Sequence, residues 1–73
     1  MAITYRVVDV RSDIIDPTET IITDARSPED AARQALGVDV VRSGQRKDLV
    51  ARVYWQSLGQ PMNMVRLYRR VAG

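Results

Sequence analysis

One short segment of the chain carries signals for both ends of a helix. Ser27 is a favourable N-cap, because its hydroxyl accepts from a backbone N–H that the first turn leaves unpaired. Pro28 suits the first helical position, where its missing N–H would have had no partner. Gly37, directly after Leu36, is typical of a left-handed stop. We therefore expect one helix of about three turns that depends on packing for its stability.

The helix is apolar along one narrow side. This stripe consists of small residues and one leucine: Ala31, Ala32, Ala35 and Leu36. Small side chains allow a helix to approach a sheet closely, so we expect this side to cover a sheet face. On the other sides, Glu29 and Asp30 suit the positive end of the helix dipole, with Asp30 in the position of an imperfect capping box.

Strand-like segments lie before and after the helix. They cover residues 3–11, 19–25, 49–57 and 63–71, with a short extra strand at 38–42. The order β-β-α-β-β predicts an α+β, two-layer sandwich: a mainly antiparallel sheet of four or five strands with one helix on one face. A chain of 73 residues holds one core, so we expect residues 1–73 to form a single domain.

The first strand changes the side on which its apolar residues lie. Tyr5 and Val7 share one parity, whereas Val8 and Val10 share the other. Either a bulge near Val7–Val8 or a strand covered on both faces towards its end would explain the change. The residues alone leave both explanations open.

The register of the last hairpin decides which side chains share a face. A two-residue loop at Gly59-Gln60 would place Val53 opposite Arg66. A loop of three or five residues would instead bring two apolar sets together. These sets are Ala51, Val53 and Trp55 on one strand and Val65, Leu67 and Val71 on the other. We predict the second register, because it buries both sets, and longer loops containing Gly are ordinary.

This register defines a candidate binding face on the side of the sheet away from the helix. Its predicted members are Arg52, Tyr54, Met64, Arg66, Tyr68 and Arg70. Interleaved arginine and tyrosine favour single-stranded nucleic acid, because rings stack on bases and guanidinium groups contact phosphates. The interpretation we prefer is a solvated or protein-binding face, because cross-strand Arg/Tyr pairs stabilise a sheet by themselves.

Charge is unevenly distributed along the chain. Residues 1–37 carry four arginines and seven acids, for −3, whereas residues 38–73 carry +5. Such asymmetry occurs at anion-binding surfaces, but we expect the two halves to lie side by side in one sheet and neutralise each other. Arg42, Arg46 and Lys47 flank a turn at Gly44, as a phosphate-contacting loop or merely a polar hairpin tip.

The composition argues against catalysis and bound metal. The chain has no cysteine and no histidine, which removes disulfides, thiol chemistry and the commonest general base and metal ligand. Asp13, Asp16 and Glu19, in or beside a predicted loop, lack the alternation and central glycine of a calcium site. We expect no catalytic, cofactor or metal site, and therefore not an enzyme.

The same sequence indicates where such a protein would act. No signal-like leader and no apolar run of membrane-spanning length is evident, which predicts a cytoplasmic protein without a membrane partner. Ten arginines against one lysine indicate a bacterial source with a GC-rich genome. We expect a small, non-catalytic protein-interaction module that binds a protein partner or forms a homodimer, through the open sheet face or a strand edge. The alternative is a module that binds single-stranded nucleic acid through the Arg/Tyr face.

Overall fold

A computed structural model describes residues 3–11 and 19–71 of the chain. Within them the elements are β1 (Tyr5–Asp9), β2 (Glu19–Ile22), α1 (Pro28–Leu36), β3 (Val40–Val41), β4 (Leu49–Trp55) and β5 (Asn63–Arg69), with a 3-10 turn at Arg46–Asp48 before β4. The predicted loop acids Asp13 and Asp16 lie outside the described residues. No helix in the described part of the chain is long and apolar enough to cross a bilayer.

The five strands form one antiparallel sheet in the order β2-β1-β4-β5-β3. The helix α1 contacts all five strands. This arrangement confirms the predicted α+β fold with one helix on one face. The short extra strand expected at 38–42 is present as the two residues of β3.

Both predicted helix ends are observed. The Ser27 hydroxyl accepts a hydrogen bond from the Asp30 N–H at 3.1 Å. Gly37 adopts a left-handed conformation with φ of 69°, and its N–H donates to the Arg33 carbonyl at 2.8 Å. The Asp30 carboxylate accepts from the N–H of Arg26 at 3.1 Å. The capping box is therefore displaced by one residue towards the N-terminus.

The alanine stripe packs into the centre of the sheet. Ala31 and Ala32 are fully buried, together with Val7, Val53 and Leu67 from the three central strands. Side chains without bulk at these two helical positions let the helix axis lie close to the strands. The core is consequently thin, and the largest fully buried side chains are one leucine and two valines.

The hairpin of β4 and β5 has the predicted register. Val53 lies opposite Val65, and Ala51 lies opposite Leu67. The loop between the strand ends covers residues 56–62, which is longer than expected but also odd in number, so the same faces coincide. The predicted inward position of Val71 is wrong, because Val71 lies beyond the end of β5 and is 62% exposed.

A bulge occurs in β4 and not in β1. Pairing along β1 is continuous, and Val8 lies half-buried opposite Arg52 on the face away from the helix. In β4 the register shifts between Leu49 and Ala51, so Val50 turns into the core. The predicted regular alternation therefore fails at the start of β4, and the bulge considered near Val7–Val8 is absent.

Two acids are buried at the end of the sheet where β4 begins. Asp9 is 3% exposed and accepts two hydrogen bonds from the Arg11 Nε, at 3.0 and 3.1 Å. Asp48 is 7% exposed and accepts from Arg69 at 3.2 Å. Each of the two buried carboxylates is therefore paired with an arginine, as buried charges require.

Candidate functional site

The open face is the sheet surface away from α1. Cross-strand pairing places the side chains of Arg6, Tyr54 and Met64 in one row across the sheet. The next row contains Arg52 and Arg66, and Tyr68 follows in a third row. The register thus brings together five of the six predicted face residues: Arg52, Tyr54, Met64, Arg66 and Tyr68.

The sixth predicted residue, Arg70, lies at the edge of the sheet. Its Nε donates to Asp39 Oδ2 at 2.8 Å, and its backbone N–H donates to the carbonyl of the same residue at 3.3 Å. Arg70 follows the last residue of β5, beside the short strand β3. Its charge is therefore matched locally, and it does not line the groove between the arginines of the open face.

Arg52 and Arg66 face each other directly across β4 and β5. Neither has an acidic partner within 4.0 Å among the described residues. Like charges at directly opposite positions destabilise a sheet, by about 0.2–1 kcal/mol. This pair breaks a rule of sheet design without an evident structural compensation, which is a common property of functional positions.

Arg52 also contains an unsatisfied donor. Its Nε is buried and has no hydrogen-bond partner among the described residues. A buried polar group without a partner costs about 1–3 kcal/mol. Such a donor calls for an acceptor that the described part of the chain does not supply.

A groove of about 450 Å³ opens between these arginines. Its lining residues are Arg46, Leu49, Arg52, Arg66 and Tyr68. Three arginines and no acid line it, so the local potential is positive. The volume lies within the usual range for ligand pockets, about 300–1,000 Å³.

Arg46 reaches this groove because a loop packs closely against β5. A Cβ atom at Gly44 would lie 2.7 Å from the Tyr68 Cβ and 2.9 Å from its Cγ, which is closer than side chains approach. Glycine therefore allows the backbone to contact the tyrosine, and the 3-10 turn that follows carries Arg46 to the groove. Sequence reasoning treated this glycine only as a turn signal and left Arg46 out of the candidate face.

The other two cations of the predicted loop lie elsewhere. Arg42 donates from its Nε to Glu29 on the helix at 2.8 Å. Lys47 borders surface depressions that also contain Asp48 and Arg69. The loop therefore contributes one of its three cations, Arg46, to the open face.

Part of the open face is explained by sheet stability alone. The Arg6 guanidinium lies over the Tyr54 ring, 5.3 Å from its centroid, and its Nε lies 3.7 Å from Glu19. These contacts stabilise the sheet without a ligand, as expected if the Arg/Tyr pairs belong to a solvated face. Among the described residues, Arg52 and Arg66 have neither an ion pair nor a cation–π contact of this kind.

The two halves of the chain do not neutralise each other at this face. Arg42 and Glu29 form an ion pair between the acidic and basic halves. The basic half pairs Arg69 and Arg70 with its own two acids, Asp48 and Asp39. Among the described residues, the three groove arginines are left without an ion pair.

The described residues contain no cluster of three or more acidic side chains that could hold a metal ion. The candidate site is the groove lined by Arg46, Arg52 and Arg66. Comparison with known protein families, curated proteins and solved structures finds no match to this chain.

Proposed function

We propose that this domain is a non-catalytic, cytoplasmic module that binds single-stranded nucleic acid through its open sheet face. The observation that carries the proposal is the opposed pair of Arg52 and Arg66, which has no acidic partner in the described chain. An anionic ligand removes the repulsion between the two guanidinium groups and supplies the acceptor that the Arg52 Nε lacks.

The arrangement of rings around the arginines favours nucleic acid among anions. Tyr54 and Tyr68 lie on opposite sides of the arginine row, four residues apart along β5 when Tyr54 is projected onto its partner Met64. At about 3.4 Å per residue, the two rings are roughly 14 Å apart along the strands. A strand of nucleic acid laid along β4 and β5 would contact the arginines with its phosphates and both rings with its bases, once the Arg6 guanidinium moves off the Tyr54 ring.

A single strand suits this surface better than a duplex. Flat sheets bind unpaired bases by stacking on exposed rings, whereas duplex DNA is usually read by an element that enters a groove. The helix α1 covers the opposite face of the sheet with its alanine stripe buried. Its first turn carries the acids Glu29 and Asp30, which are not buried and would repel the phosphates of a duplex, so we do not assign it as a recognition helix.

The test is binding of single-stranded RNA and DNA oligonucleotides, measured by mobility shift over a salt series. We expect binding that weakens steeply as salt rises, because phosphate contacts release counterions. Arg66→Glu should abolish it while circular dichroism remains unchanged.

Arg33→Glu is the matched control. Arg33 lies exposed on the helix that covers the other face, and its substitution changes the net charge by the same amount. Equal loss of binding in both variants would indicate that only total charge matters and would overturn the assignment of the face. Wild-type protein that binds no oligonucleotide at low salt would overturn the function.

A protein partner or self-association is the second candidate, and a specific edge favours it. β5 has seven residues, but β3 pairs only with Tyr68 and Arg69. The outer edge of β5 from Asn63 to Leu67 has no strand partner among the described residues. Unpaired edges without proline or lysine are templates for another strand.

Antiparallel pairing of two copies about Val65 would place Met64 of one copy opposite Arg66 of the other. Light scattering tests self-association. We expect a dimer in wild type and a monomer in Met64→Pro, which removes an N–H from the outer edge of β5, the side on which the Arg70 N–H donates to Asp39. Wild type that remains monomeric at high concentration would rule out self-association through this edge.

A further inference from the structure

We propose that the groove on the open face is a binding site for one phosphate group, which Arg46, Arg52 and Arg66 contact together. The inference rests on the proposed function for the source of that phosphate. It adds that the three arginines converge on a single phosphate and do not contact three successive ones. This difference is measurable, because each phosphate contributes separately to the salt dependence of binding.

The backbone positions of the three arginines allow their guanidinium groups to meet in the groove. Arg52 and Arg66 are direct neighbours across two strands, and Cβ atoms in such pairs are about 4.5–5.5 Å apart. Arg46 enters the same groove from the 3-10 turn at its end. Guanidinium groups bind phosphate through parallel N–H donors, so several can share the oxygens of one group.

The groove is electrostatically incomplete when it is empty. It has three positive charges and no acid in its lining. The Arg52 Nε is buried without an acceptor. A phosphate oxygen would offer that donor a partner once the side chain turns towards the groove, and the negative charge would offset the repulsion of the arginine pair.

The turn that carries Arg46 is anchored at both ends, which presets the position of the third arginine. Before it, Gly44 packs on Tyr68. Behind it, the buried Asp48 carboxylate pairs with Arg69, and the Asp48 N–H donates to the Gln45 carbonyl at 2.9 Å. Little ordering of the turn is then needed when a ligand binds, which favours affinity.

The test compares the salt dependence of oligonucleotide affinity among the single, double and triple arginine variants. Affinity for a labelled single-stranded oligonucleotide of about 12 nucleotides is measured by fluorescence anisotropy between about 50 and 200 mM salt. For a shared phosphate, Arg52→Gln alone should leave the slope of log affinity against log salt nearly unchanged, because Arg46 and Arg66 still neutralise that group. Arg52→Gln with Arg66→Gln should also change it little, and only loss of all three arginines should lower it by about 0.7. Arg33→Gln is the control and should leave the slope unchanged.

Additive slopes, with a loss of about 0.7 for each arginine removed, would overturn the shared phosphate site while leaving the nucleic-acid function intact. Binding of inorganic phosphate tests the phosphate site independently of nucleic-acid binding. It should shift the NMR signals of the Arg52 and Arg66 Nε–H groups in wild type, and Arg46→Gln should weaken this binding about tenfold, which is one lost charge-assisted contact.

If phosphate shifts these signals but no oligonucleotide binds, the phosphate-binding site is supported and the nucleic-acid function is overturned. If neither the oligonucleotide nor phosphate produces an effect, both proposals are overturned.

Discussion

Arg52 and Arg66 occupy directly opposite positions on the two longest strands of the sheet, on the face that the helix leaves uncovered. Arg6, in the neighbouring row, has two partners within the protein: the Tyr54 ring, and the carboxylate of Glu19 at the end of the Arg52 row. Arg52 and Arg66 have no ion pair among the described residues. The proposed function depends on this contrast.

The arginine pair should reduce the stability of the free protein. Replacing Arg66 by Gln should raise the free energy of unfolding by a few tenths to about 1 kcal/mol, because the repulsion across the strands is relieved. The gain should shrink as salt rises, since screening weakens the repulsion in wild type. Urea unfolding at low and high salt measures both effects.

Arg70→Gln is the matched control for this prediction, because Arg70 has Asp39 as an ion-pair partner. It should leave stability unchanged or lower it slightly, as exposed ion pairs contribute about 0–1 kcal/mol. A loss of stability in Arg66→Gln at low salt would contradict the account of the pair.

Gly44 should tolerate no side chain, for a reason different from that at Gly37. Gly44→Asn should destabilise the fold by about 1–3 kcal/mol, because the new Cβ would overlap Tyr68. Gly37→Asn should cost much less, since nothing lies within 4 Å of a Cβ there and asparagine tolerates a left-handed conformation. Thermal unfolding compares the two variants, and equal losses would contradict the close contact between loop and ring.

The buried acid of β1 should make stability depend on pH in the acid range. Burial raises the pKa of Asp9, but the hydrogen bonds and charge of Arg11 outweigh this and leave the pKa below its ordinary value. The unfolded chain then takes up a proton first as pH falls. The stability from this pair is therefore complete above about pH 5 and is lost as pH falls through the pKa of the folded protein.

Asp9→Asn isolates this contribution. The variant should be less stable than wild type by about 1–3 kcal/mol near neutral pH, as expected for a hydrogen-bonded charge. The difference should narrow steadily below about pH 4. Urea titrations of both proteins across this range provide the measurement, and a difference that does not change with pH would refute the assignment.

The N-cap should contribute to stability without affecting binding. Ser27→Ala removes the acceptor of the Asp30 N–H and should cost about 1 kcal/mol. Oligonucleotide affinity should stay the same, because the helix lies on the opposite side of the sheet. Reduced affinity in a folded Ser27→Ala variant would place the binding site near the helix.

Local patterns in the sequence were sufficient for much of the fold. The helix ends depend on side chains one to four residues apart, and both ends were predicted correctly. The register of β4 and β5 followed from burying Val53 with Val65, although the loop is longer than expected. These features are set by chemistry that neighbouring residues share.

Features that depend on distant parts of the chain were not predictable in the same way. The contact between Gly44 and Tyr68 joins segments far apart in sequence, so nothing near Arg46 indicated that it lines the groove. The ion pair with Asp39 likewise separates Arg70 from the groove arginines. The bulge at Val50 has no glycine or proline to mark it.

The most direct measurement is an amide chemical-shift map recorded while a single-stranded oligonucleotide is added to the labelled protein. We expect shifts centred on Arg52, Arg66 and Tyr68 and extending to Arg46, whereas the signals of Ala31 and Ala32, on the buried side of α1, should not change. Shifts confined to the helix face, or no shifts at low salt, would contradict it.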